Sequence, residues 1–197
     1  MGRRLGHDAQ VLSTKGRLLV ATPLLGDPNF ERTVVLVLEH SAEGALGVVL
    51  NRPSPLPVEE PLPDWARFAP EPPVIFVGGP VAKGSVIALA RRTDDRQHRM
   101  PDGAWEQVLD SIGVLDLGVD DVVVGSALSA VRVFTGYAGW GEGQLEGEIV
   151  EGAWWTVDAE VEDATTVDPE HLWRTVLRRQ HGPLRQFANY PADITAN

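Results

Sequence analysis

The residues best suited to chemistry cluster around two short apolar runs. Arg32 stands just before Thr33–Glu39 (TVVLVLE), and Asn51-Arg52 follows directly on Ala45–Leu50 (ALGVVL). The two runs read as a hairpin turning through His40–Gly44. If Glu39 faces Ala45, then Leu50 pairs with Val34, Asn51 with Thr33, and Arg32 lies beside Arg52. Adjacent guanidiniums repel unless an anion or a carboxylate sits between them. Asp27 and Glu31 are near enough in sequence to supply the carboxylate; the alternative is a bound anionic ligand or a partner's carboxylate. Gly78-Gly79-Pro80 closes a further apolar run, Val74–Val77. Glycine there permits close backbone approach, as a turn or as the floor of a small-ligand or peptide site.

Glu39-His40 is the other distinctive polar pair. It lies at the opposite end of the hairpin, six residues away, or about 20 Å at 3.3 Å per residue. That separation argues against an acid–base pair assisted by Asn51 or Arg52. Gly139-Trp140-Gly141-Glu142-Gly143 superficially resembles a dinucleotide turn, but Glu142, Glu146 and Glu148 crowd it and oppose phosphate. A glycine-dependent corner with Trp140 packed on the core is preferred. The five histidines (7, 40, 98, 171, 181) show no paired metal-ligand spacing, so no metal site and no cofactor are expected. P-loop, zincin, serine-hydrolase and strand-following GxGxxG motifs are all missing.

Composition narrows the classes further. The chain has 197 residues and no cysteine, which removes disulfides, thiolate metal sites and thiol nucleophiles. Its formal net charge is −11, which repels phosphate backbones and anionic membranes at long range. The residues after Met1 carry arginines but no apolar signal core, and no apolar run approaches a membrane span, so a cytoplasmic location is expected. Nine acids and no Lys or Arg occur in 141–168, whereas Arg174, Arg178, Arg179 and Arg185 follow. That C-terminal basic helix either packs on the acidic face or presents a solvated stripe; contact with nucleic acid is disfavoured.

The elements that must hold these residues are mostly strands. Arg17–Ala21, Thr33–Glu39, Ala45–Leu50, Val74–Val77, Val86–Ala90, Val131–Tyr137 and Ala153–Val157 read as strands. Asp27-Pro28 opens one short turn, and Leu145 and Ile149 mark a short helix ended by Gly152. A last helix runs from Asp168-Pro169 to Gly182. The segment 118–133 fits either strand or helix. Nine of the 15 prolines lie between 53 and 80, so 53–73 is expected to be a long surface loop with one turn around Trp65–Phe68. Residues 91–100 read as a polar loop, and 1–15 and 186–197 as flexible termini of a single domain spanning 1–197. The interleaving lacks regular βαβ spacing, so the fold class is α+β.

Three blocks then resemble a known family. TPLLGDPNFERTVVLVLEHSAEGALGVVLNRP (Thr22–Pro53), VGGPV (Val77–Val81) and GYAGWGEGQLEGEIVEGAWW (Gly136–Trp155) are similar, in order and spacing, to the YqgE/AlgH family of bacterial proteins. The resemblance implies a mostly antiparallel, bifurcated sheet curled into a pseudo-barrel with flanking helices, and it favours a helix at 120–130. Many relatives resemble CEH where this chain has Leu38-Glu39-His40, so a thiol-based role cannot operate here. The family's label of transcriptional regulator derives from a regulatory phenotype, not a DNA-binding motif. The expected function is therefore a non-enzymatic binding or regulatory module for a small anionic ligand or a protein partner. Its surface is expected at Arg32, Asn51, Arg52, Gly78 and Gly79. The alternatives are direct action on DNA and, behind it, a hydrolase or transferase using carboxylates and His40.

Overall fold

A computed structural model describes residues 13–93 and 100–190. Of the expected 91–100 loop, Arg91 and Arg92 belong to a strand and residues 94–99 lie outside the described residues, as do His7 and most of both expected flexible termini. Ten strands are ordered along the chain: β1 (Arg17–Ala21), β2 (Val34–Ser41), β3 (Gly44–Val49), β4 (Pro53–Pro57), β5 (Val74–Val77), β6 (Val81–Arg92), β7 (Trp105–Leu109), β8 (Ile112–Leu115), β9 (Leu128–Gly141) and β10 (Trp154–Asp158). The helices are short: α1 (Pro63–Ala66), α2 (Asp121–Val124), α3 (Gln144–Val150), α4 (Val161–Ala164), α5 (Leu172–Arg178) and α6 (Leu184–Phe187). The sheet runs β10-β1-β2-β3-β9-β6-β8-β7, antiparallel throughout, and β4 and β5 leave this path.

The fork occurs on β9. One edge of this long strand pairs with β3 near Ala138–Gly141 and then, in parallel, with β5 at Phe134 and Thr135; its other edge takes β6. The sheet thus curls and bifurcates as the α+β expectation requires. A Cβ added at Gly16, just before β1, would lie 2.7 Å from the Val108 carbonyl of β7. The curl therefore brings the far edge strand back against the start of the first one.

Strand β2 shows why its sequence is so uniformly apolar. Val34, Leu36 and Leu38 enter the cluster containing Phe76, Phe134 and the α5 residues Leu172, Val176 and Leu177. Val35 and Val37 face the opposite side, against Trp140, Leu145 and Trp154. A strand covered on both faces needs a continuous hydrophobic run. A third cluster lies under α1 and α2 and includes Trp65, Val124 and Val131.

The structure departs from the sequence reading in several places. Within 53–73, Pro53–Pro57 forms β4 against β5, and Val58 and Trp65 are buried. Proline is tolerated in such an edge strand because an outward edge needs no N–H donor. The ambiguous segment divides: 121–127 is helical, with Asp120 Oδ1 accepting from the Val122 N–H at 2.9 Å, whereas Leu128 begins β9, so the helix expected at 120–130 stops short. The β7–β8 hairpin went unread, and the last helix ends at Arg178, before Gly182. Ala188 is buried and Tyr190 packs on the main cluster, so ordered chain continues past Gln186.

Candidate functional site

The open end of the β2–β3 hairpin carries the first group of expected site residues. The pairs Val35–Val49 and Leu36–Val48 follow the anticipated register, and the Leu50 N–H donates to the Val34 carbonyl at 2.8 Å. Near the turn the register differs: His40, not Glu39, faces Ala45. Leu38 is the extra residue of a β-bulge, which absorbs the one-residue offset.

Asn51 acts as a short extension of the ladder. Its Oδ1 accepts from the Val34 N–H at 2.9 Å and its Nδ2 donates to the Arg32 carbonyl at 2.8 Å. It must do so because Arg32 adopts a left-handed backbone (φ 52°), which takes the chain off the sheet. The Arg32 guanidinium lies 4.9 Å above the Trp173 ring and donates to the Tyr190 carbonyl at 2.8 Å. Its pKa is lowered, first by desolvation and then by repulsion from Arg174, with Glu31 and Tyr190 acting in the opposite sense. Arg52 donates to the Glu31 main-chain carbonyl at 2.8 Å.

Arg32, Asn51, Arg52, Trp173 and Arg174 line one cleft of about 500 Å³, with Glu31, Glu170 and His171 on its walls. Of the carboxylates considered from sequence, Asp27 accepts from the N–H and side-chain amide of Asn29 at 2.8 and 2.9 Å, whereas Glu31 stays on the cleft wall and acts favourably on the Arg32 charge. Sequence reasoning missed Arg174 as a site residue. Its signal was faint, since a solvated arginine and a cleft arginine look alike until α5 is docked.

The two glycines separate. Gly78 is buried; its N–H donates to the Thr135 carbonyl and its own carbonyl accepts from Val49, each at 2.8 Å. A Cβ at Gly78 would lie 2.3 Å from the Gly136 carbonyl oxygen, so this glycine serves close packing of main chains. Gly79 is equally constrained against Tyr137, yet it also lines a second concavity of about 290 Å³ with Arg52, Pro80 and Lys83. Arg52 belongs to both concavities.

The remaining polar features resolve into local structure. His40 is buried, with its Nε2 2.7 Å from Glu146 Oε1 and its Nδ1 accepting from the Thr14 N–H at 3.0 Å. These bonds place the ring proton on Nε2 and tie the hairpin to α3. At the Gly139–Gly143 corner, Gly143 is left-handed (φ 69°) and precedes α3. Glu148 accepts from the indole N–H groups of both Trp140 and Trp154 at 2.8 Å. Arg179 of the basic segment holds Asp163 through bonds of 2.7 and 2.6 Å and Glu160 at 3.2 Å. Among the described residues no three His, Asp or Glu side chains group to hold a metal ion, and no helix is long and apolar enough to cross a membrane.

The curled, forked antiparallel sheet with short flanking helices defines an α+β class of protein. Within that class, the family model described as DUF179, AlgH-like, matches residues 18–185. The chain belongs to this AlgH-like family. It is 50% identical over 188 residues to a UPF0301 protein of Streptomyces coelicolor, covering 95% of this chain and 97% of that one. A UPF0301 protein of Mycobacterium tuberculosis is 40% identical over 184 residues, with 92% and 90% covered. The crystal structure of a Corynebacterium diphtheriae protein matches with a TM-score of 0.82 at 29% identity, covering 96% of this chain and 95% of that one. The solution structure of AlgH from Pseudomonas aeruginosa matches at 0.67 and 26%, covering 98% and 100%.

Proposed function

We propose that the protein is a binding or regulatory module that takes an anionic group, on a small ligand or presented by a protein partner, in the cleft between the β2–β3 hairpin and α5. The supporting observation is the approach of Arg174 to Arg32, close enough for mutual repulsion, with Arg52 lining the same cleft. Like charges held together favour an anion between them, and planar guanidiniums match a carboxylate or phosphate in a forked geometry. Trp173 anchors the arrangement: its indole donates to the Ala21 carbonyl at 2.9 Å while its face carries Arg32. Gly78 lets β5 and β9 approach, and its neighbour Gly79 lines the adjoining concavity.

Calorimetric titration with citrate tests the reading, using Arg174→Ala and, as a control on the same helix, exposed Arg178→Ala. Saturable binding that Arg174→Ala weakens about tenfold, the loss of one charge-assisted contact, is expected. Absence of binding by citrate and a panel of dicarboxylates and acidic peptides, or equal loss in the Arg178 variant, would overturn it.

A further inference from the structure

A second polar concavity lies elsewhere, where β6, β8 and β9 meet beside α4. It encloses about 360 Å³. Thr93, Ser111, Ser129 and Thr165 bring hydroxyl-bearing side chains to its walls beside Arg91 and Arg92, and no carboxylate lines it among the described residues; the Arg92 guanidinium itself lies over the Trp105 ring, 5.1 Å from its centre. The geometry originates in an irregularity of the sheet. Arg91 pairs with Ala130 but Arg92 pairs with Leu128, so Ser129 is the extra residue of a β-bulge. A bulge bends the strand and re-aims the side chains around it.

The main chain around the pocket is fully engaged. Arg92 N–H donates to the Ser111 carbonyl at 2.8 Å, Thr93 N–H donates to the Ala127 carbonyl at 2.9 Å, and Ser129 Oγ donates to the Arg91 carbonyl at 3.2 Å. Several side chains are not. Thr93 Oγ1 is shielded from solvent and has no hydrogen-bond partner among the described residues. Arg91 meets Glu162 at 3.3 Å, a pair with a solvent-exposed carboxylate that water screens and a ligand can replace.

A buried charge stands behind one wall. Arg132 follows Ala130 on the same face of β9 and is 2% exposed. It donates to the carbonyl of Glu71, the neighbour of wall residue Pro70, at 3.0 Å, and its guanidinium lies 4.3 Å from the Phe76 ring centre. Its Nη1 has no partner, and it forms no carboxylate pair among the described residues. A cation without a counter-ion in a low-dielectric wall raises the local potential, in a molecule whose overall charge is negative. Hydroxyls alone would suit a neutral polyol; hydroxyls with the Arg91 guanidinium, and no lining carboxylate among the described residues, suit an oxyanion.

We propose that this pocket binds a phosphate-type oxyanion, as inorganic phosphate or as the phosphate of a monoester. Arg91 donates to it, and the hydroxyls of Ser111 and Thr165 donate to its remaining oxygens. The site is independent of the Arg32–Arg174 cleft, with which it shares no lining residue.

The test is titration of the full chain with inorganic phosphate and, separately, with glycerol 2-phosphate, followed by amide NMR and calorimetry. Saturable shifts at Thr93, Ser111, Ser129 and Thr165 are expected. Arg91→Gln should weaken the binding read at these residues about tenfold, the loss of one charge-assisted bond, while exposed Arg178→Gln leaves it unchanged. Tighter binding of the monoester assigns the site to an organic phosphate, and tighter binding of inorganic phosphate assigns it to the free ion. Ser111→Ala and Thr165→Val carry the test if Arg91→Gln fails to fold, each weakening binding. Lack of saturation, indifference to these substitutions, or shifts confined to the surroundings of Arg52 and Arg174 would overturn the proposal; the last would leave the cleft reading standing.

Discussion

Arg132 sits between the Phe76 ring and the Glu71 carbonyl, and desolvation pulls its guanidinium well below the ordinary arginine value, down to about 10. Because the folded value lies below the unfolded one, the unfolded chain binds the extra proton between those two values. The cost of burying the charge is therefore fully present below pH 10 and is relieved as pH rises through that window. Arg132→Met is expected to remove it, raising stability by about 1–3 kcal/mol at neutral pH, as replacement of buried charge by a fitted apolar side chain can. Urea unfolding at neutral pH and above pH 10 checks this: the gain should shrink at the higher pH. If Arg132 supplies potential to the phosphate pocket, the same variant binds more weakly while being more stable. Arg32 is the contrasting case, since its stacking on Trp173 and its bond to Tyr190 leave it lining an open cleft.

At the scale of elements, the bulge at Leu38 decides where the hairpin's two ends fall. Reading inward from the turn without it predicts the right pairs near Asn51 but the wrong ones near His40. The bulge leaves Leu38 buried beside Val34 and Leu36 in the main cluster. Leu38→Ala is expected to cost about 2–5 kcal/mol by chemical denaturation, whereas Val122→Ala on exposed α2 should change stability little. Apolar β2 was readable because both its faces are covered. Strands β7 and β8 were not, because their short segments meet only one neighbouring strand or two and leave Glu106 and Gln107 exposed. Strand β4 was hidden by its prolines, which an edge position tolerates.

Across the whole molecule, the acidic block and the C-terminal arginines are brought together by folding. Arg179 grips Asp163, which is 4% exposed, and also reaches Glu160 and the Asp158 carbonyl. Removing one member of a buried pair strands the other's charge, so Arg179→Leu should destabilise by about 3–5 kcal/mol. The double variant Arg179→Leu/Asp163→Leu should recover much of that loss in a thermodynamic cycle, because no buried charge is left unpaired. Full additivity of the two single losses would remove the pair from the stability of the fold.

Residue types and order already specify the absence of thiol chemistry, the net charge, the doubly buried hairpin and the family's three blocks, since each is a property of composition or of near neighbours. The proximity of Arg52 to Gly79 and the role of Asn51 were partly legible, through pairing arithmetic along one hairpin. Arg174 beside Arg32, Glu146 on His40, Glu148 beneath two indoles and the hydroxyl pocket around the Ser129 bulge were decided by tertiary structure alone. All but the Glu148 contacts, which join the successive elements β9, α3 and β10, bring together side chains distant in sequence. Local periodicity records which face of an element is buried; it carries no record of which neighbour buries it, and that choice sets the charge and shape of every cleft.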